Sequence, residues 1–186
     1  MLRDLVLKNR SYRRFDESFK ISRDTLLSLC ELARVCPSGA NRQSFKFHLT
    51  NEDEECLKVF ETTSWAGYIK DGAPTSGERP SAYITIVSDS SLPKGLPADV
   101  GILAQTILLG ACELGLGGCM IASVRRDELK SALSLSASFE VELVIALGKP
   151  IETVVLEEMR DGDFKYWRDE NKVHHVPKRS LDEIII

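Results

Sequence analysis

The stretch from Pro97 to Gly115 constrains this chain more than any other. Val100, Ile102, Leu103, Ile107, Leu108 and Leu109 are spaced so that a helix over 98–115 is apolar on most sides. A helix with one apolar stripe lies on a surface. One that is apolar nearly all round is central, buried in the protomer or at a subunit contact. Pro97 opens it and Gly115 is a natural C-cap. Its uncharged run, Val100 to Cys112, is too short to span a bilayer, so the helix reads as the core of a soluble protein. The remaining elements must be laid around it.

Those elements are readable from period and punctuation. Leu2, Leu5 and Val6 predict a helix over 2–9. Leu26, Leu29, Cys30 and Ala33 form the stripe of a second helix, with Ser22 as N-cap and Pro37 as stop. Residues 52–62 and 125–135 read as two more helices. "FKFHLT" (45–50) alternates as a half-buried strand, "AYITIVS" (82–88) is β-branched, and "FEVELVIALG" (139–148) runs on into a central strand. "GLGGCMIAS" reads as a tight turn and strand, and "FKYWRDENKVHHV" as a hairpin around Asp169 to Lys172. The tail "PKRSLDEIII" ends in three isoleucines, which are expected to pack as an added strand on a sheet. The sum is one α+β domain over 1–186, with helices around a mixed central sheet of four or five strands.

Composition removes several functions. Twenty-four basic against 28 acidic residues give a net charge of −4, a poor match to non-specific nucleic-acid binding. Five cysteines without a Cys-x-x-Cys pair argue against a disulfide framework, a zinc ribbon or an iron–sulfur cluster, and point to a reducing cytoplasm. "MLRDLVLKNR" carries charge where a signal peptide needs an apolar run.

The motifs that remain suggest borrowed chemistry. "NRSYRRF" (9–15) is either a solvated charged corner or an anion grip of guanidiniums and a hydroxyl. "GLGG" (115–118) is neither a phosphate loop nor a dinucleotide fingerprint. It is a cap and turn, or a place where backbone approaches a flat ligand. His174 and His175 alternate across a strand, cannot easily share a metal, and read as surface residues. No nucleophile elbow is present, and Cys36 or Cys119 as a lone nucleophile lacks supporting spacing. "CPSGANRQSF" (36–45) packs a hydroxyl and two amides between a helix and a strand. The loop 63–80, with Trp65 and Tyr68, has the length and aromatics of a binding loop. An anion grip, an amide-rich loop and glycines, without an acid–base set, fit a bound cofactor that does the chemistry.

The order "RSYRRF", "PSGANRQ", "ADVGILAQTILLGACELGLGGCMI", "PKRSLDE" resembles the nitroreductase family of flavin enzymes across nearly the whole chain. The resemblance implies a homodimer with two FMN molecules in its interface and a C-terminal arm that wraps the partner. It implies FMN binding by Arg10, Ser11 and Arg13, with Arg10 at the phosphate and Arg13 near the pyrimidine end of the ring. It implies that Pro37, Ser38, Ala40, Asn41 and Gln43 are offered to the ring and ribityl chain, largely from the partner. Gly117, Gly118 and Cys119 match the turn beside the ring, and Lys178 and Arg179 the basic pair that closes on the phosphate. The departures are Asn9, where many members have arginine, and Gln43-Ser44-Phe45, where many have Gln-Pro-Trp. The substrate lid must come from 63–80, with Trp65 and Tyr68. The implied activity is reduction of nitroaromatics, quinones or similar acceptors by NADH or NADPH in a ping-pong cycle at flavin N5, with no catalytic side chain, no metal, no nucleic acid and no membrane partner. The alternatives are an FMN reservoir or redox sensor, and an enzyme that fragments its own flavin.

Overall fold

β5 (Phe139–Pro150) organises the computed structural model, which describes residues 1–186. One edge pairs antiparallel with β3 (Ala82–Asp89), whose other edge pairs antiparallel with β2 (Phe45–Thr50). The second edge of β5 takes two short strands end to end. β4 (Gly117–Ile121) runs from Gly117 opposite Gly148, and β1 (Phe15–Asp16) sets Phe15 opposite Pro150. The central sheet therefore has five strands, and every pairing in it is antiparallel. The mixture expected within it is divided between two sheets instead. A smaller sheet of β6 (Val154–Glu158), β8 (His174–Lys178) and β7 (Trp167–Arg168) holds the one parallel pairing, β6 with β8.

Helices cover both faces of the central sheet. α2 (Arg23–Arg34) and α4 (Pro97–Glu113) bury Leu26, Leu29, Ala104 and Ile107 against Ile84, Ile86, Ile145 and Leu147. α3 (Asp53–Thr62) and α5 (Arg126–Ala132) bury Val59 and Leu129 against Val87, Val141, Val144 and Ala146. A β-bulge opposite Ile86 and Val87 lets Val141 and Val144 share a face although an odd number of positions separates them. Each fully buried Ile or Leu contributes roughly 1.5–3 kcal/mol. α1 (Leu2–Lys8) packs beside α4.

Two further expectations change. The helix predicted over 125–135 is confined to Arg126–Ala132, because Ser134 takes a positive φ of 50° that ends it. The C-terminal isoleucines add no strand to either sheet of the chain. A turn in which Glu183 accepts from the Ser180 amide (2.8 Å) and hydroxyl (3.1 Å) carries the chain off the sheet, and Ile184, Ile185 and Ile186 stand exposed. The hairpin is present, closed by the Asp169 amide donating to the Val173 carbonyl at 3.0 Å. No helix is long and apolar enough to cross a membrane.

Candidate functional site

Residues 10–13 leave α1 as extended chain along the free edge of β4. The Tyr12 amide donates to the Gly118 carbonyl at 3.0 Å, and Ser11 bridges Gly118. This brings two distant motifs together around a cavity of about 390 Å³, closed by the middle of α4 and by β8. Arg10, Ser11, Arg13 and Lys178 line it together with Asn9, Gln105 and Met120. Three cations and no carboxylate give it a positive potential that favours anions. Arg10 donates from Nη2 to the Val6 carbonyl at 2.5 Å, while its buried Nε has no partner.

Arg13 and Arg14 point apart, as neighbours in extended chain do. Arg13 lies over the Tyr166 ring, 4.8 Å from its centroid, donates to the Ser11 carbonyl at 3.1 Å, and stands 3.5 Å from His174 Nε2. Arg14 faces the other way, onto Glu78 (3.0 Å) and the carbonyls of Asp71 and Gly72 (2.9 and 3.1 Å). It ties down the 71–78 loop rather than serving the cavity. The backbone amides of both residues donate to one carboxylate, Glu152, whose second oxygen accepts from Arg168 at 3.0 Å. The Glu152 side chain is 4% exposed, so this clamp is a buried ion pair.

His174 corrects the surface reading of the paired histidines. It is 1% exposed, stacks on Tyr166 (5.3 Å between centroids) and forms part of the cavity wall. Burial first, then the charges of Arg13 and Arg168, push its pKa down to about 4, so the ring is neutral near pH 7. The signal available in sequence was alternation alone, and β8 is the middle strand of its sheet, with both edges covered. His175, on the other face, stacks on Trp167 at 3.9 Å and meets Glu157 at 3.2 Å.

The expected lid pair separates. Tyr68 is half exposed and packs edge-on against Tyr166 at 5.2 Å, which puts it at the rim of the cavity. Trp65 does not reach it. Its Nε1 donates to Thr63 at 2.9 Å and its ring lies against Phe60, beside the second core cluster. The basic pair separates too. Lys178 lines the cavity, whereas Arg179 pairs with Glu183 at 3.4 Å in the tail.

Gly117 and Gly118 are glycines for a reason internal to the chain. A Cβ at Gly117 would meet Tyr12 and Pro150 at 2.5 Å, and one at Gly118 would strike the Ala146 carbonyl and the Leu108 side chain. The Cys119 side chain is buried in the second core cluster, where burial raises its pKa, and its neighbour Met120 faces the cavity. Gln105 was a readable signal that sequence reasoning passed over. It and Thr106 are the only polar side chains between Val100 and Cys112, and Thr106 accepts from the Cys36 thiol at 3.1 Å.

The amide-rich loop lies elsewhere. Ala40, Asn41 and Gln43 have φ of 51°, 53° and 49°, and none of Pro37, Ser38, Ala40, Asn41 or Gln43 lines the cavity. The loop is anchored at the start of α4. Buried Asp99 accepts from the Gly39 amide at 3.0 Å and caps the helix through the Leu96 amide at 3.3 Å. Ser38 accepts from the Gln43 amide at 3.3 Å, and the Gln43 side chain donates to Asn41 at 3.3 Å. From Asp99 to Gln105, the first α4 residue that lines the cavity, is roughly 9 Å of helix. Within one protomer the two halves do not meet.

The sequence profile of the Nitroreductase family matches residues 6–149. Solved structures share the fold. A nitroreductase family protein from Clostridium novyi NT is 22% identical, over 100% of this chain and 99% of that one, with TM-score 0.66. A protein from Exiguobacterium sibiricum 255-15, solved in complex with FMN, is 16% identical over 82% and 89%, with TM-score 0.69. An enone reductase of gut-bacterial fatty acid saturation is 20% identical over 87% and 93%, with TM-score 0.70.

Proposed function

The chain belongs to the nitroreductase family, and on that premise we propose that it is an FMN-dependent oxidoreductase that uses NADH or NADPH to reduce small acceptors of the nitroaromatic or quinone type in a ping-pong cycle. One observation carries the reading. The cavity between residues 9–13, α4, β4 and β8 holds three cations, the hydroxyls of Ser11 and Tyr166 and apolar Leu108, Met120 and Val176, with no carboxylate. That donor set suits a phosphorylated, partly apolar cofactor, and the unpartnered Arg10 Nε is a donor waiting for an acceptor. FMN, when bound, supplies the atom that accepts and returns hydride. The residues of the chain bind and tune it. Arg10 and Lys178 neutralise the phosphate. Arg13, held by Glu152 through its backbone, presents a fixed cation that favours a reduced, anionic ring. Neutral His174 adds no second cation beside it.

The exposed loop with Ser38, Asn41 and Gln43 completes the site from a second copy of the chain. The support for a homodimer is the distance of that loop from the cavity in one protomer, together with exposed Leu27, Leu32 and Val35 on the helix that leads into it. Five unpaired cysteines suit a reducing cytoplasm. The test is the visible spectrum of the purified protein, repeated without oxygen after NADH and then NADPH. The expected result is a flavin spectrum that bleaches. A flavin that stays oxidised with both would make the protein a reservoir or sensor. No flavin after incubation with FMN would overturn the reading.

A further inference from the structure

Arg13 and Arg14 are neighbours with opposite means of support. The Arg14 guanidinium is locked by its ion pair to Glu78 and by the carbonyls of Arg13, Asp71 and Gly72. The Arg13 guanidinium forms no ion pair. It donates to the Ser11 carbonyl at 3.1 Å, and His174 Nε2 lies at the limit of a hydrogen bond, 3.5 Å away. A long side chain held by one such bond keeps much of its rotamer freedom. The group that closes over it is the Tyr166 ring, whose centroid is 4.8 Å from the guanidinium carbon. At that distance the negative face of an aromatic ring attracts a cation.

Tyr166 is itself fixed. Its ring stacks on buried His174, with 5.3 Å between centroids and 23° between planes, and Tyr68 packs edge-on against it at 5.2 Å. Side chains alternate along extended chain. Trp167 turns to the far face of the small sheet, where it stacks on His175, while Tyr166 and Arg168 share the face toward residues 13 and 14. Arg168 pairs with Glu152, and Glu152 accepts from the Arg13 amide. One segment, 166–168, therefore holds Arg13 at both ends. Its backbone is held through Glu152 and its guanidinium through the Tyr166 ring.

We propose that Tyr166 is a positioning residue, whose ring holds the Arg13 guanidinium in place within the cavity. Its consequence rests on the flavin reading: a cation fixed in advance stabilises charge that develops on the flavin, whereas a mobile one must first be ordered. The contact is tested without flavin, by NMR of the protein labelled in its arginines, with the Arg13 signals assigned through Arg13→Ala. A group lying over an aromatic face has its protons shifted upfield. The Arg13 side-chain signals should be shifted upfield in the wild type and in Tyr166→Phe, and should return to their ordinary position in Tyr166→Leu. The consequence is tested by fluorescence titration with FMN and by the midpoint potential of the bound flavin. Tyr166→Leu should weaken FMN binding about threefold to tenfold and lower the potential, and Tyr166→Phe should keep both near the wild type. In an Arg13→Ala background, Tyr166→Leu should add little, because the ring acts through the guanidinium. Ordinary Arg13 signals in the wild type, an unchanged potential in Tyr166→Leu, Tyr166→Phe as damaging as Tyr166→Leu, or a full loss that persists without Arg13 would overturn the proposal. A wild type that binds no FMN, with its Arg13 signals still shifted, would overturn the flavin reading while supporting the contact.

Discussion

Acid should destabilise this protein partly through one histidine. The folded-state pKa of His174 is about 4, against an ordinary 6.5. Below pH 6.5 the unfolded chain takes up a proton at this position that the folded chain refuses, so each further drop in pH favours unfolding. The contribution is intact above pH 6.5, is lost progressively as pH falls, and is exhausted near pH 4, where the folded form also titrates. At about 1.4 kcal/mol per pH unit, the whole span is worth about 3 kcal/mol, a large share of a total stability of about 5–15 kcal/mol. The assay is urea unfolding of the wild type and His174→Phe from pH 7 to pH 4, at one protein concentration and without added flavin. Phenylalanine keeps a ring to stack on Tyr166 and cannot titrate. All other ionisable groups are common to both proteins, so the difference between the curves isolates His174. The variant should be less acid-sensitive by about 3 kcal/mol. Parallel curves, or an NMR titration that puts His174 near 6.5, would refute the argument, because either would mean that water reaches the ring.

Three further outcomes follow from the same contacts. Glu152→Gln removes the buried charge that faces Arg168 and the amides of Arg13 and Arg14, and should cost about 3–5 kcal/mol in urea unfolding; a cost below about 1 kcal/mol would show that the carboxylate is not the clamp. Gly118→Ala drives a Cβ into the Ala146 carbonyl and should cost about 1–3 kcal/mol, with an unchanged melting temperature as the refuting result. Arg13→Ala should keep the fold and lower flavin affinity about tenfold or more, measured by fluorescence titration; unchanged flavin binding and turnover would remove Arg13 from the site.

Much of the frame was legible because local and global signals agree. "FKFHLT" alternates, and β2 spans Phe45–Thr50. Ser22 reads as an N-cap, and its side chain accepts from the Thr25 amide. The site was legible only in halves. Arg10, Ser11, Arg13 and Lys178 share one cavity, but the division of labour within "RSYRRF" depends on partners far along the chain, Glu152 for the backbone and Glu78 for Arg14. Nothing local marks Glu152 as a buried clamp or His174 as a buried neutral ring. Their burial is decided by how β8 and the turn after β5 fold back over residues 13–14. The space at Gly117 and Gly118 is filled by Tyr12, Pro150, Ala146 and Leu108, so their need is set by strand packing and a ligand is not required to explain it.

The position of the loop on α4 limits how the site can be completed. Asp99 holds Gly39 with one oxygen of its buried carboxylate and caps the helix with the other, so moving the loop toward Gln105 and Leu108 would leave a buried carboxylate oxygen unpaired. On the proposed reading, a flavin held by both the cations and the amides collects them from two chains. The exposed apolar side chains fall where such an arrangement needs them: Leu27, Leu32 and Val35 on the helix that leads into the loop, Ile102 on α4 between the loop and the cavity, and Leu114 at the far end of α4. The helix that is apolar nearly all round is then explained on both sides. One side fills the core through Ala104 and Ile107, and the side bearing exposed Ile102 is the one that the proposed second copy would cover.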